Sequence, residues 1–290
     1  MQRDDIEGPD YAKPLFLRSR TMDISPDAGI WRRATDDLKG ALGRLNVILL
    51  LGSDDVASRY RRSVLGQFWF TLSNALFIIT IGLVWANIWK QPIEEFLPYF
   101  AAGHVFWTLM AVSLIDASTT FSNSASYLKE LNFPRSTYLF ANSVKHLIIL
   151  LHNLVIIPVI FMLFGKWPTL EFFLFVPALF LTLLTILASS FWLGILGLRF
   201  RDVSALISSL MMVLFFLTPV IWHEEMIVQG LRDLLILNPF HIFLELLRGP
   251  LLGNAPEARY WWLGCLILTI NSIVGFVVFA IWRRSINYWL

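Results

Sequence analysis

The chain has 290 residues, of which 57% are hydrophobic, 15% aromatic and only 15% charged, with a mean hydropathy of +0.64. Soluble domains carry about 25% charged residues, so this composition excludes an ordinary soluble domain and points to a membrane protein. The net charge of +2 leaves no nucleic-acid footprint, and the single cysteine, Cys265, excludes an internal disulfide framework or a Cys-based metal cluster.

Residues 1–35 are polar, with Pro9, Pro14 and Pro26. They read as a loosely ordered tail without the apolar core of a signal peptide, so the first apolar span is expected to direct insertion. Residues 36–62 form the next region. Leu38, Leu42, Leu45 and Leu49 recur at helical spacing, which predicts an amphipathic helix over 36–51 ended by Gly52. Ser53 is expected to cap a second short helix, with Asp54 and Asp55 in its first turn and Arg59, Arg61 and Arg62 in its last. Such helices suit the membrane interface; packing on a soluble partner is the alternative.

The remaining residues, 63–290, predict an all-α transmembrane domain of six spans, at about 68–89, 99–121, 138–164, 172–198, 203–222 and 260–282. The first, 22 residues without a charge, reaches roughly 33 Å. Six spans place both termini on one side. One set of flanks carries Arg59, Arg61, Arg62, Lys129, Arg135, Lys145, Arg199, Arg201, Arg283 and Arg284; the other carries Lys90, Lys166, Arg232, Arg248 and Arg259. That asymmetry predicts cytoplasmic termini. The largely apolar segment 231–253 contains Asp233, Glu245 and Arg248, and Pro239 and Pro250 break it. Two short helices dipping into the outer leaflet and lining or capping a pathway fit it; a surface hairpin that merely anchors is the alternative.

Ionisable groups inside spans cost about 2.5–3.5 kcal/mol on insertion scales. Asp116 is expected either to reach the interface or to pair with a cation that the sequence does not identify. Lys145 and His146 lie near a span end and can snorkel. His104 and His152 form no matched pair for haem or proton transfer, and Cys265 reads as an inert packed thiol. No G-x-S-x-G, H-E-x-x-H or G-x-x-x-x-G-K-[ST] sequence occurs. The chain is therefore expected to need no cofactor or metal and to hydrolyse no nucleotide alone. Its 24 Phe, 12 Trp and 7 Tyr suit lipid contact and sugar stacking alike. Phe70, Tyr99, Phe106 and Trp107 are the candidate channel-lining rings.

Five segments, taken in order, give a resemblance. They are "RYRRSVLGQFW" (59–69), "LKELNFPRSTY" (128–138), "GLRFRDVSALIS" (197–208), "TPVIW" (218–222) and "LNPFHIFLELLRGPLLG" (237–253). Together they resemble the membrane subunit of ABC-2 type polysaccharide exporters, from about residue 38 to the C-terminus. The resemblance implies a homodimer with a channel between its copies, two separate ATPase subunits that hold ATP and Mg, and a polyprenyl-pyrophosphate-linked polysaccharide as cargo. It implies that Tyr127, Leu128, Lys129, Glu130, Leu131, Asn132, Phe133, Pro134 and Arg135 form the cytoplasmic segment that docks on the ATPase. Leu128, Leu131 and Phe133 offer an apolar anchor with a charged rim, and Pro134 is expected to stop the helix at or just before Phe133. A plain polar turn is the alternative. Arg59, Arg61 and Arg62 become candidates for the pyrophosphate, which guanidinium recognises well. Asn238, Pro239, Phe240, Phe243 and Leu247 become periplasmic gate candidates. Where the family carries a basic run before the first span, this chain reads the more acidic "SDDVASRY" (53–60). Rival readings are an ABC-2 exporter of a small lipid or drug, a membrane enzyme acting on polyprenyl-linked sugars, and a scaffold without transport.

Overall fold

A computed structural model describes residues 29–59, 63, 65–66 and 68–290, without the side chain of Arg59. The expected tail up to residue 28 and the roles of Arg59, Arg61 and Arg62 lie outside the described residues.

Two helices precede the spans, α1 (Ile30–Leu42) and α2 (Leu45–Arg59). The helical region thus starts at Ile30, six residues before the expected boundary. The single helix predicted over 36–51 is broken at Gly43–Arg44, and α2 runs on through Gly52 and Ser53. Gly52 ends nothing. It is buried where α2 meets α6 (Ser136–Asn153), and a Cβ there would come within 2.8 Å of the Ala141 carbonyl oxygen and of Val144 Cγ1. Ser53 caps nothing either, since its hydroxyl donates to the Leu50 carbonyl (3.1 Å). Ala34, Asp37, Ala41, Ile48 and Val56 face inward, whereas Leu42, Leu45, Leu49 and Leu50 are exposed. An apolar stripe left open beside the spans suits a membrane interface.

The spans follow. The first is α3 (Phe68–Trp89), with the predicted bounds. Next come α4 (Ile93–Asn123), the short α5 (Ala125–Glu130) and α6, followed by α7 (Ile156–Leu163). The third span is therefore broken at Leu154–Val155. Pro158 explains the break: it has no N–H for the carbonyl of Leu154, four residues earlier. The fourth span is α8 (Phe175–Arg199), entered through a 3-10 turn at Leu170–Leu174. The fifth, α9 (Asp202–Leu217), is shorter than predicted at 16 residues, about 24 Å of rise. Thr218 is extended (ψ 138°), as the residue before a proline prefers, and the chain continues non-helically to Trp222. Then come α10 (Gln229–Arg232), a 3-10 turn at Asp233–Leu237, α11 (Pro239–Leu251), α12 (Ala258–Trp282) and the final turn α13 (Ile286–Trp289). Asn238 accepts from the Phe240 N–H (3.0 Å) and Pro239 opens α11, a favourable start for a helix.

Five of these elements are long and apolar enough to cross a membrane, and the bent segment Gln229–Leu251, folded by 95°, could be counted as a sixth. Contacts decide against that count. Tyr99, at the start of α4, donates its hydroxyl to the carbonyls of Pro219 (3.1 Å) and Trp222 (3.0 Å) just beyond α9. The α9 helix begins beside the far end of α8, so it connects the two faces. At its start, α11 is tied to Thr218 through Asn238 (2.8 Å). It ends at Gly253 (φ +85°), packed against Thr169 just before α8. Both ends lie on the same face, so α10–α11 is a re-entrant hairpin and α9 is the sixth crossing. At the other face, Arg283 after α12 reaches Asp37 of α1. The described N-terminal helices, α5 and the C-terminal turn therefore share one face. The most buried span, α4, packs on α3, α6, α8, α9 and α11. The protein is an all-α, multi-pass integral membrane protein.

Candidate functional site

The segment between α4 and α6 is fixed at both ends. Asp37 is fully buried. Its carboxylate accepts the backbone N–H groups of Arg135 (3.1 Å) and Ser136 (2.9 Å) and the Ser136 hydroxyl (2.6 Å). It also takes the Nε–H of Arg283 (2.6 Å). One side chain of α1 thus caps α6 and pairs with the residue after α12. Burial, reinforced by the nearby Arg283, lowers the pKa of the Arg135 guanidinium against the opposing pull of Asp37. Upstream, α5 ends at Glu130, and Leu131 is extended (ψ 128°). The helix stops earlier than Pro134 alone requires, because the chain must stretch to bring Arg135 and Ser136 to Asp37. The three proposed apolar anchors divide. Leu128 is buried within its own chain, Leu131 and Tyr127 are exposed, and the half-buried Phe133 lies under the Arg44 guanidinium, 5.4 Å from its ring. The Leu128 side chain is therefore a fold residue rather than a docking residue. Lys129 donates to the Leu290 carbonyl (3.0 Å).

Asp116 finds the cation that the sequence left unidentified. Lys145 Nζ lies 2.8 Å from Asp116 and 3.0 Å from Asp55 of α2, and His146 Nε2 stands 3.2 Å from Asp116. Lys145 is almost fully buried, so it does not snorkel. It joins α2, α4 and α6 through one ammonium. Asp55, Asp116 and Lys145 border a polar cavity of about 170 Å³ whose wall includes Asp54, Tyr127 and Tyr138, directly beside the segment held by Asp37.

On the opposite face a second polar cluster joins α4, α11 and the stretch after α9. Arg248 is buried. It donates to the Pro219 carbonyl (2.6 Å), pairs with Glu245, and lies 3.9 Å over the Tyr99 ring. His241 stands 3.5 Å from Glu224 and 3.3 Å from the Tyr260 hydroxyl. Burial, then the proximity of Glu245, pushes the Glu224 carboxyl above its ordinary pKa. Sequence reasoning placed Arg248 among the topology charges, read Glu245 only as a charge that forbids an ordinary span, and missed Glu224 and His241. The i, i+4 spacing of His241 and Glu245 was the available signal.

The family model described as ABC-2 type transporter matches residues 46–252. The chain belongs to the ABC-2 type transporter family. Similar proteins carry one name. An O-antigen export system permease protein RfbA of Myxococcus xanthus is 27% identical over 195 residues, covering 67% of this chain and 75% of the relative. Two of the same name from Klebsiella pneumoniae are 23% and 24% identical, each covering 83% of this chain and 94% of the relative. The family-model match spans the segment 127–135 and Arg248 with Glu224, His241 and Glu245. Asp37 and Arg283, which hold that segment, fall outside it.

The aromatic candidates of this ABC-2 transporter are dispersed. Phe106 is fully buried against Phe175 (5.5 Å between centroids), so it lines no channel in this conformation. Trp107 is also buried, between Phe215 and Phe240. Tyr99 is occupied under Arg248, whereas Phe70 lines a cavity of about 270 Å³ between α3, α4 and α6. Among the gate candidates, Phe243 and Leu247 point into the chain's own core, Asn238 and Pro239 shape the start of α11, and Phe240 is half-buried. A larger cavity, about 590 Å³, opens between α8, α9, α11 and α12. Its polar spot is Asn271, whose carbonyl accepts from Ser189 (2.9 Å) and Trp192 (3.1 Å). His104 stacks on Phe77 (4.6 Å), and His152 is hydrogen-bonded to the Ile148 carbonyl (2.8 Å). Cys265 is exposed on α12 rather than packed.

Proposed function

We propose that this ABC-2 transporter is the membrane subunit of an ATP-driven exporter that moves a polyprenyl-pyrophosphate-linked polysaccharide of the O-antigen type. It resides in a bacterial inner membrane with both termini cytoplasmic, and two copies form the channel. Two separate ATPase subunits carry ATP and Mg. The relatives' shared name supports the cargo. The motor interface is supported by one observation: Tyr127 of α5 and Leu131 just beyond it are exposed, while Asp37 ties down the backbone at Arg135 and Ser136. An exposed apolar pair on a restrained segment is a docking surface, and restraint lets motion of a partner pass into α6 rather than dissipate in a loop. The same segment touches the Lys145 cluster through Tyr127, so displacement of α5 reaches α2 and α4 as well. Arg59, Arg61 and Arg62 are proposed to receive the pyrophosphate, and the α10–α11 hairpin to gate the far side.

Three alanine variants of the full complex test this reading. Leu131→Ala and Tyr127→Ala should fold normally, yet lower ATPase association and cargo-stimulated ATP turnover by about tenfold, the effect of losing an interface anchor worth about 1.4 kcal/mol or more. Leu128→Ala should instead lower thermal stability, by about 2–5 kcal/mol for a buried leucine. Normal association of both exposed-residue variants would refute the docking role.

A further inference from the structure

Three metal-ligating side chains meet on the face opposite the motor segment. His241 and Glu245 are one helical turn apart on α11, so they share a stripe. Glu224 comes from the short turn Glu224–Met226 that follows α9. One donor atom from each of the three lies within 4.8 Å of the others. His241 Nε2 and the Glu224 carboxylate stand 3.5 Å apart. Tetrahedral ligands about 2.1 Å from a metal sit about 3.4 Å from each other, so this pair already has the separation that an ion needs. With all three donors within 4.8 Å, Glu245 needs to close by at most about 1.4 Å, within reach of a side-chain rotation.

The surroundings allow a cation. His241 is almost fully buried, and Nδ1 of its ring meets no hydrogen-bond partner among the described residues. Glu245 pairs with Arg248, but a carboxylate has two oxygens, and one can keep the guanidinium while the other turns to an ion. Arg259 is occupied by Glu257 (2.8 Å), and Arg232 Nε is spent on the Glu224 backbone carbonyl (3.2 Å). Two carboxylates therefore lie beside one imidazole whose Nε2 faces Glu224 and, among the described residues, meets only the Tyr260 hydroxyl besides (3.3 Å), with Arg248 paired to Glu245.

We propose that Glu224, His241 and Glu245 form a site for a divalent transition-metal ion, with Zn²⁺ the best match. One imidazole and two carboxylates in a compact triangle suit zinc; magnesium and calcium demand six or more oxygens. The ion acts structurally. It fastens the turn after α9 to α11, and so sets how readily the re-entrant hairpin parts from the rest of the protein. This role does not depend on the identity of the cargo.

The test uses the full chain without a polyhistidine tag, stripped with chelator in detergent and titrated calorimetrically with Zn²⁺ and, separately, Mg²⁺. Saturable binding of about one Zn²⁺ per chain is expected, with Mg²⁺ at least about tenfold weaker. Glu224→Gln, a change on a partly exposed turn, should weaken Zn²⁺ by about tenfold or more. His241→Gln should do the same, with its thermal unfolding recorded to confirm the fold. Bound Zn²⁺ should also slow amide exchange across residues 223–226 and 239–245. No saturable Zn²⁺ binding to the wild type, or equal affinity in Glu224→Gln, overturns the site. Mg²⁺ binding as tight as Zn²⁺ overturns the transition-metal assignment.

Discussion

Asp37 gathers contacts from three elements on the face shared by α1, α5 and the C-terminal turn. It is enclosed, it satisfies two backbone N–H groups and a hydroxyl, and it neutralises Arg283. An aspartate in that position is costly to bury alone and is tolerated because every lone pair is used. Removing it leaves the first turn of α6 uncapped and Arg283 uncompensated. Asp37→Ala should therefore destabilise the protein by about 3–5 kcal/mol, the usual cost of deleting one partner of a buried pair. Asp37→Asn should cost less, because its amide oxygen still accepts the Ser136 N–H. Thermal unfolding in detergent, with amide exchange at 131–136, distinguishes the two; equal behaviour of both variants would show that the charge alone matters. None of this was legible in the sequence. Asp37 lies within a polar stretch, and its partners are 99 and 246 residues away, beyond the reach of any periodicity. Asp116 was half legible: its cost inside a span signalled a partner, but only the packing of α6 on α4 identifies Lys145.

At the scale of elements, close helix approach rests on particular glycines. Gly52 lets α2 lie against α6, and Gly197 lets α8 approach α4 so closely that a Cβ would overlap the Ser118 carbonyl. The two contacts differ in what can yield. At Gly52 the obstacle includes the Val144 side chain, whereas at Gly197 it is α4 backbone. Gly197→Ala should therefore destabilise more than Gly52→Ala, by at least about 1–3 kcal/mol as overpacking does; chemical denaturation of both in detergent provides the comparison. Apolar length made the spans themselves readable, and the first matches its predicted bounds at both ends. The misreadings arose where local signals lost to tertiary ones. Gly52 looked like a stop and is a packing contact. Pro158 interrupts the helix at Leu154–Val155, yet Ser136–Leu163 remains a single span, as expected. α5 ends short of Pro134 because Asp37 holds the next residues. A re-entrant hairpin was expected over 231–253 from its charges and prolines, because those residues cannot sit in an ordinary span, and it forms over Gln229–Leu251.

For the whole molecule, the uneven burial of the spans is the main clue to assembly. Only 11% of the apolar window of α3 is buried within the chain, against 67% for α4, and α9 buries only Ile207 and Met211. Lipid can cover such faces. Yet α9 is also short, and at about 24 Å it falls below the roughly 30 Å of a bilayer core. A short span with exposed Leu206, Leu210, Val213 and Phe216 is better covered by protein, since an exposed short helix must thin the bilayer around it. In the proposed homodimer, α9 and α3, which both pack on α4, form the seam between copies. The channel then passes along that seam rather than through one chain, where Phe106 and Trp107 are already packed. Val213→Cys in a Cys265→Ser background places a thiol on the exposed side of α9. Mild oxidation of that variant in native membranes should yield a crosslinked dimer, whereas a cysteine replacing the exposed Ile270 of α12 should not. Equal crosslinking at both positions, or none at Val213, would place the seam elsewhere and with it the path of the polymer.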